Sequence, residues 1–200
     1  GVKCLHAHLA HHLAGGDDPV GRWTLAQLET SPVPVVNPQP GGLTTHLTDH
    51  AIHITMTGGA SFTVPIGPLT LVEGPLERAD RPTPAQLTNA LGLVQDHLDD
   101  VIITAASIAS APSVVATGSH AVALARVEIG SSNVPDDYEL YRADADEVFR
   151  TLAVETIHER RHNPGLDPSD VESIIGTCCV ILGLMRRLDL PSIVIDAGVR

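Results

Sequence analysis

The stretch Thr156-Ile-His-Glu-Arg-Arg-His-Asn-Pro-Gly-Leu-Asp-Pro168 leads into an apolar run through Ile174, Ile175, Cys178 and Met185, and the chain closes on Ile193-Val-Ile-Asp-Ala-Gly-Val-Arg200. Two helices and a strand are legible in it. The spacing predicts a long helix from Asp144 or Asp146 to about His162, ended by Asn163-Pro164-Gly165, because proline and glycine do not continue a helix. Asp167-Pro168 begins a second helix, which sets Val171, Ile174, Ile175 and Cys178 on one face and continues to Leu188. Ile193 to Ile195 is a short β-branched run and reads as the last strand.

Upstream, the hydrophobic period alternates between two and 3.6. Ile52, Ile54 and Met56 alternate with polar residues, Gly58-Gly59 makes a turn, and Phe62, Val64 and Ile66 alternate again, the pattern of a β-hairpin. Val64-Pro65-Ile66-Gly67 with Leu69 and Leu71 reads as a further strand. Thr83 caps a helix with Pro84 at its first position and Leu87, Leu91, Val94 and Leu98 on its apolar face. Val101 to Ala109 reads as a strand or an irregular segment, Val114 to Ala116 as a short buried strand, and Ser119 to Val127 as a helix. Towards the N-terminus, residues 1–30 form a short His-rich helical segment, with its helix over 3–14. Residues 31–42 form a Pro/Gly-rich linker, and residues 43–200 form one α/β lobe with a mixed sheet flanked by helices.

Composition narrows the function. The 200 residues are 43% hydrophobic but only 2% aromatic, so the core is built from Leu, Val, Ile and Ala, and stacking platforms for single-stranded nucleic acid are lacking. A formal charge of −12 and a pI near 5.2 make a field that repels polyanions, which argues against general nucleic-acid binding. Any anion site has to be local, made from backbone N–H groups or a few arginines. Three cysteines, two of them adjacent, do not make a disulfide framework, and a reducing cytoplasm is the expected compartment. No apolar stretch reaches the ~18 residues of a membrane span, and no signal-peptide pattern opens the chain.

Several of these stretches resemble the second lobe of the Ppx/GppA phosphatases, the exopolyphosphatase and guanosine-pentaphosphate phosphohydrolase family. Thr156, Glu159, Arg160, Pro164, Gly165 and Leu166 fit its T-x-x-E-R-x-x-x-P-G-L motif, and Asp196, Gly198 and Arg200 its closing S-D-x-G-L-R. Val64 to Leu71, Arg81-Pro82-Thr83-Pro84 and Val115 to His120 are similar to further family segments, so the resemblance covers about residues 50–200. It implies an actin/Hsp70-like, ribonuclease-H-like fold. It also implies a substrate, polyphosphate or guanosine pentaphosphate, that complete members hydrolyse by Mg2+-assisted attack of water. Thr55-Met56-Thr57-Gly58-Gly59-Ala60-Ser61 is set against the family's phosphate loop, with Thr55 in place of its aspartate. Asp170 and Glu172 stand where the family carries Arg and Asp, and Ile195 where it carries Ser. The family's first lobe, with its catalytic glutamate, has no counterpart. The resemblance therefore implies an incomplete member that is inactive alone, assigns no catalytic residue, and expects docking on a first lobe or a homo-oligomer. Residues 2–23 instead resemble the tail of a small uncharacterised bacterial family whose gene often lies beside an exopolyphosphatase gene, the pattern of a fusion.

Gly58, Gly59, Ser61 and Arg160 are the candidate phosphate-binding residues. The glycines give a tight turn whose N–H groups face an oxyanion, or an ordinary hairpin turn. Arg160 sits with His158, Arg161 and His162 at a helix end, where it either binds phosphate or opposes the negative end of the helix dipole. Cys4, His6, His8, His11 and His12 offer the ligand types of a zinc site if residues 3–14 are helical, or simply decorate an exposed helix. Cys178 and Cys179 read as core, and Asp96, Asp99 and Asp100 as a solvated helix end. A rival function is a non-catalytic anion-binding or regulatory module, and another is a fusion product without function.

Overall fold

Two alternating stretches on either side of a short polar turn start the sheet. The computed structural model describes residues 42–198. Strand β1 (Leu43–Leu47) buries Leu43, Thr45 and Leu47 and exposes Thr44 and His46. Strand β2 (Ile52–Met56) and β3 (Ser61–Val64) continue the same alternation, and all three pair antiparallel. After them come α1 (Pro68–Glu73), α2 (Pro84–Thr104), a 3-10 turn (Ala106–Ser110), β4 (Val114–Thr117) and α3 (Ser119–Ile129). Next are β5 (Tyr138–Tyr141), α4 (Arg142–Val154), α5 (Ile157–Arg160), α6 (Ile174–Arg187) and β6 (Ser192–Asp196). The six strands form one mixed sheet in the order β3-β2-β1-β4-β6-β5. Strand β4 runs parallel to both β1 and β6, while β5 closes the far edge antiparallel to β6.

One face of this sheet carries the core. Thr45, Ile54, Ala116 and Ile195 lie in one register row across β1, β2, β4 and β6, and all are fully buried. The helices stack there around α6, whose residues Ile174 to Met185 are buried without interruption. A helix apolar on every side belongs in the middle of a core rather than at its surface, and α6 packs against α1, α2, α3 and α4. Two glycines make this possible. A Cβ at Gly176 would stand 2.2 Å from the Pro68 carbonyl oxygen, and one at Gly183 would stand 2.6 Å from the Val94 side chain. The other face of the sheet presents Thr44, His46, Thr55 and Thr63 and stays open among the described residues.

The hairpin at Gly58-Gly59, the start of α2 at Thr83, and β4, α3 and β6 match the sequence reading. Other elements differ, each for a local reason. The segment read as a strand through Leu69 and Leu71 is α1. A Cβ at Gly67 would stand 2.6 Å from the Thr48 and Asp49 carbonyl oxygens, so only glycine fits there, and Pro68 opens a helix that takes the chain out of the sheet. Val101 to Thr104 extend α2, because Val101 and Ile102 keep the 3.6 period against the core and tertiary packing overrides β-branched propensity. The long helix to His162 is two helices. Thr156 accepts from the Glu159 N–H while the Glu159 carboxylate takes the Thr156 N–H, a capping box that restarts the chain as α5. The second long helix begins at Ile174, not at Asp167, whose carboxylate instead holds a turn through the Ser169 N–H. Strands β1 and β5 were not read from the sequence. The helix over 3–14, the cluster Cys4, His6, His8, His11 and His12, linker residues 31–41 and Arg200 lie outside the described residues.

Candidate functional site

The three parallel strands β1, β4 and β6 all end at one edge of the sheet. From there β1 enters the Thr48–Ala51 turn, β4 enters Gly118 and the N-terminus of α3, and β6 enters Ala197-Gly198. Gly118 has φ +100, and a Cβ there would stand 2.5 Å from the Leu47 carbonyl oxygen, so the β1 turn and the start of α3 can approach only over a glycine. In open α/β sheets the carboxyl ends of the strands are where ligands gather, since helix N-termini and turn backbones converge there.

A crevice of about 320 Å3 opens at this edge, with Asp49, Ser119, His120, Asp170, Glu172 and Ser173 in its wall. His120 is 4% exposed, and its Nε2 lies 2.8 Å from Asp49 Oδ1. A carboxylate only accepts, so Nε2 carries the proton of this bond. On the other side of the ring, Thr177 Oγ1 stands 3.5 Å from Nδ1 and donates to the Ser173 carbonyl at 3.2 Å. Asp49 is thereby held by one oxygen, while its side chain remains 61% exposed on the crevice side of the turn. An oriented carboxylate of this kind can accept a proton or position a hydroxyl. Burial raises the Asp170 carboxyl above its ordinary value, and His120 and Arg126 only partly offset this. Three carboxylates and no lysine or arginine are among the lining side chains, so the wall is electronegative.

Sequence-derived anion residues are not brought together. Gly58 and Gly59 form the β2–β3 turn with φ +116 and +102. That turn is at the amino edge of the parallel strands, roughly 16 Å from the Asp49 turn for the five residues of β2. The Gly59 N–H is taken by the Met56 carbonyl at 3.0 Å, and Ser61 Oγ pairs with Thr55 Oγ1 at 3.3 Å. Arg160 is 2% exposed on the helical side. Its Nε donates to the Leu152 carbonyl at 3.0 Å, and its Nη2 donates to the carbonyls of Glu155 at 2.8 Å and Asp80 at 3.2 Å. These bonds tie the carboxyl end of α4 to α5 and to the chain before α2. Burial pulls this guanidinium below its ordinary value. Arg160 also borders a cavity of about 140 Å3 walled by Val72, Leu76 and Ile175, and Glu172 lies in the wall of both openings. Glu159 is committed to the capping box, and the bonds from Thr156 lower its carboxyl.

Cys178 and Cys179 are core, as read, and Asp99 is ion-paired to Arg187. Asp49 and His120 were not singled out as site residues. Their only local signal is a polar Thr-Asp-His turn between two alternating runs and a Gly-Ser-His step after a short strand.

A family described as a protein of unknown function (DUF501) matches residues 1–26. No curated protein matches the chain. Among solved structures, an exopolyphosphatase-like protein superposes with a TM-score of 0.72 at 19% identity, over 78% of this chain and 54% of that one. The Aquifex aeolicus PPX-GPPA enzyme gives 0.70 at 14% identity, over 81% and 55%. An exopolyphosphatase from Cytophaga hutchinsonii gives 0.65 at 13% identity, over 80% and 54%. The chain spans about half the length of these structures. At such identities the likeness is one of fold, and residues 42–198 adopt the actin-like α/β lobe, a mixed six-stranded sheet with its helices packed around α6.

Proposed function

We propose that this chain supplies a second lobe of the Ppx/GppA type, which hydrolyses no phosphoanhydride by itself and presents its carboxyl edge to a first lobe. The observation that carries this reading is the electronegative crevice, where Asp49, Asp170 and Glu172 line the wall without lysine or arginine. A phosphoryl group in transfer spreads negative charge over its oxygens, and catalysis consists largely of neutralising and aligning that charge. In such an arrangement the cations come from the partner, and Asp49, held by His120, orients the attacking hydroxyl or water.

Mg2+ is the cofactor that the family resemblance implies. It takes near-octahedral oxygen ligands, and no three metal-ligating side chains converge among the described residues. Mg2+ keeps several waters, however, so one or two of the crevice carboxylates Asp49, Asp170 and Glu172 would hold it beside the substrate phosphates. Polyphosphate or guanosine pentaphosphate would be the substrate of the assembled protein. No described helix is long and apolar enough to cross a membrane, and we place the protein in the cytoplasm.

The test is phosphate release from polyphosphate by the chain with Mg2+, beside calorimetric titration of the same ligand. The expected result is no turnover. Release at ~1 s⁻¹ or more, an ordinary enzymatic rate, overturns the reading. Saturable binding without turnover moves the assignment to an anion-binding or regulatory module.

A further inference from the structure

We propose that His46 and His53, on the open face of the sheet, form a two-imidazole site for a transition-metal dication of the Zn2+ or Ni2+ kind. The two residues are direct register partners on β1 and β2. Both belong to the solvent-facing set of the alternation, His46 exposed and His53 half-buried. Their rings are stacked, with centroids 6.4 Å apart and planes inclined by 26°.

Each ring is held from its outer side by a threonine on the next strand. Thr117 of β4 is the register partner of His46, and its Oγ1 is 2.9 Å from His46 Nδ1. Thr63 of β3 is the register partner of His53, and its Oγ1 is 3.1 Å from His53 Nδ1. When the Thr117 hydroxyl gives its proton to the Thr45 carbonyl at 3.4 Å, it accepts from Nδ1–H of His46. That choice of tautomer leaves the Nε2 lone pair of His46 free. The Thr63 hydroxyl can accept in the same way from Nδ1–H of His53. A hydrogen bond at one ring nitrogen that fixes the tautomer and orientation of the other is the usual support of a metal-bound histidine.

Metal chemistry matches this donor set. With Zn–N bonds of about 2.0–2.1 Å, two imidazoles on one tetrahedral ion have centroids roughly 5 Å apart. The observed 6.4 Å closes to that by rotating two side chains, neither of them fully buried. Imidazole nitrogen suits Zn2+, Ni2+ and Cu2+, whereas Mg2+ and Ca2+ prefer oxygen. No third metal-ligating side chain joins the pair among the described residues. Among the described residues, the remaining coordination positions fall to water or to an outside ligand.

The test is titration of Zn2+ into the full chain at pH 7.5, followed by calorimetry and by long-range 1H–15N correlation of the imidazole rings. Cys4, His6, His8, His11 and His12 are a competing donor set in the sequence, so the titration is repeated with Cys4→Ser and all four histidines changed to Asn. One equivalent is expected to persist in that background and to shift Nε2 of both His46 and His53. His46→Gln or His53→Gln should each weaken it at least tenfold. Thr117→Val should weaken it by about tenfold with both imidazoles intact, as removal of an outer partner does. Loss of all binding in the N-terminal background overturns the site, as does binding indifferent to His46→Gln and His53→Gln.

Discussion

Replacing Arg160 by alanine separates a structural arginine from an anion ligand. The guanidinium is 2% exposed and donates three hydrogen bonds, to the carbonyls of Leu152, Glu155 and Asp80. Hydrogen bonds to a charged group contribute about 1.5–3 kcal/mol each, a gross gain of roughly 5–9 kcal/mol for three. Desolvating the cation costs several kcal/mol, and its removal recovers that cost. After truncation the Leu152 carbonyl keeps the Glu155 N–H at 3.3 Å, while the Glu155 and Asp80 carbonyls lose this donor, each costing about 1–3 kcal/mol if left dry. The adjoining cavity of about 140 Å3 can admit water to some of them, which favours the low end of that range. The expected loss is about 3 kcal/mol, a large share of the 5–15 kcal/mol that typically stabilises a domain. With a urea m-value near 2 kcal/mol/M, typical for small proteins, the unfolding midpoint should fall by about 1.5 M. Arg160→Lys keeps the charge but not the planar fork, so its midpoint should lie between those of alanine and the parent. Urea unfolding followed by circular dichroism measures all three. A midpoint for Arg160→Ala within about 0.3 M of the parent, under 1 kcal/mol at that m-value, refutes the structural assignment. Loss of polyphosphate binding in the same stable variant would make Arg160 an anion ligand.

Three further outcomes follow from the packing and the electrostatics. A Cβ at Gly165 would stand 1.9 Å from the Arg126 carbonyl oxygen, whereas one at Gly59 meets nothing within 4 Å. Gly165→Ala should therefore cost about 3 kcal/mol or more by forcing backbones apart, and Gly59→Ala about 1–2 kcal/mol of turn strain alone, both read from urea midpoints. Burial raises both core thiols, Cys179 to about 12. In a Cys4→Ser background, labelling by a disulfide reagent at pH 8 should proceed only through unfolding, and fast stoichiometric labelling of the folded protein would contradict the burial. Burial also raises Asp170 in the folded state. The folded state thus holds that proton more tightly than the unfolded chain, and stability falls as pH climbs from the unfolded value through the folded one. Asp170→Asn should raise the urea midpoint at pH 7 and change it little at pH 3, where the carboxyl is protonated in both states; an equal gain at both pH values would rule out titration as the cause.

Much of the layout was legible in the sequence because it rests on short-range rules. Alternation in 52–56 and 61–64 with two glycines between them dictates a hairpin. Thr83-Pro84 with Gln86 starts α2, and the unbroken apolar run in α6 marks a helix at the centre of a core. Legible too, although not used, was the capping box at Thr156 and Glu159, whose residue types and spacing alone divide the predicted long helix. Leu43, Thr45 and Leu47 likewise alternate with polar neighbours, so β1 was equally legible.

Tertiary structure alone decided which turn lies at the carboxyl edge. Asp49 and His120 are 71 residues apart and meet because β1 and β4 run parallel and in register, a pairing that no local periodicity encodes. The same register aligns Thr63, His53, His46 and Thr117 across the open face. Arg160 was one of five titratable residues in a row, His158 to His162, and only the arrival of Asp80 and the end of α4 turned it inward to bind carbonyls. Strand order and chain crossings set such encounters. They are selected by burial of the whole apolar set at once, so the residues that come to share a site carry no mark of it in their own neighbourhoods.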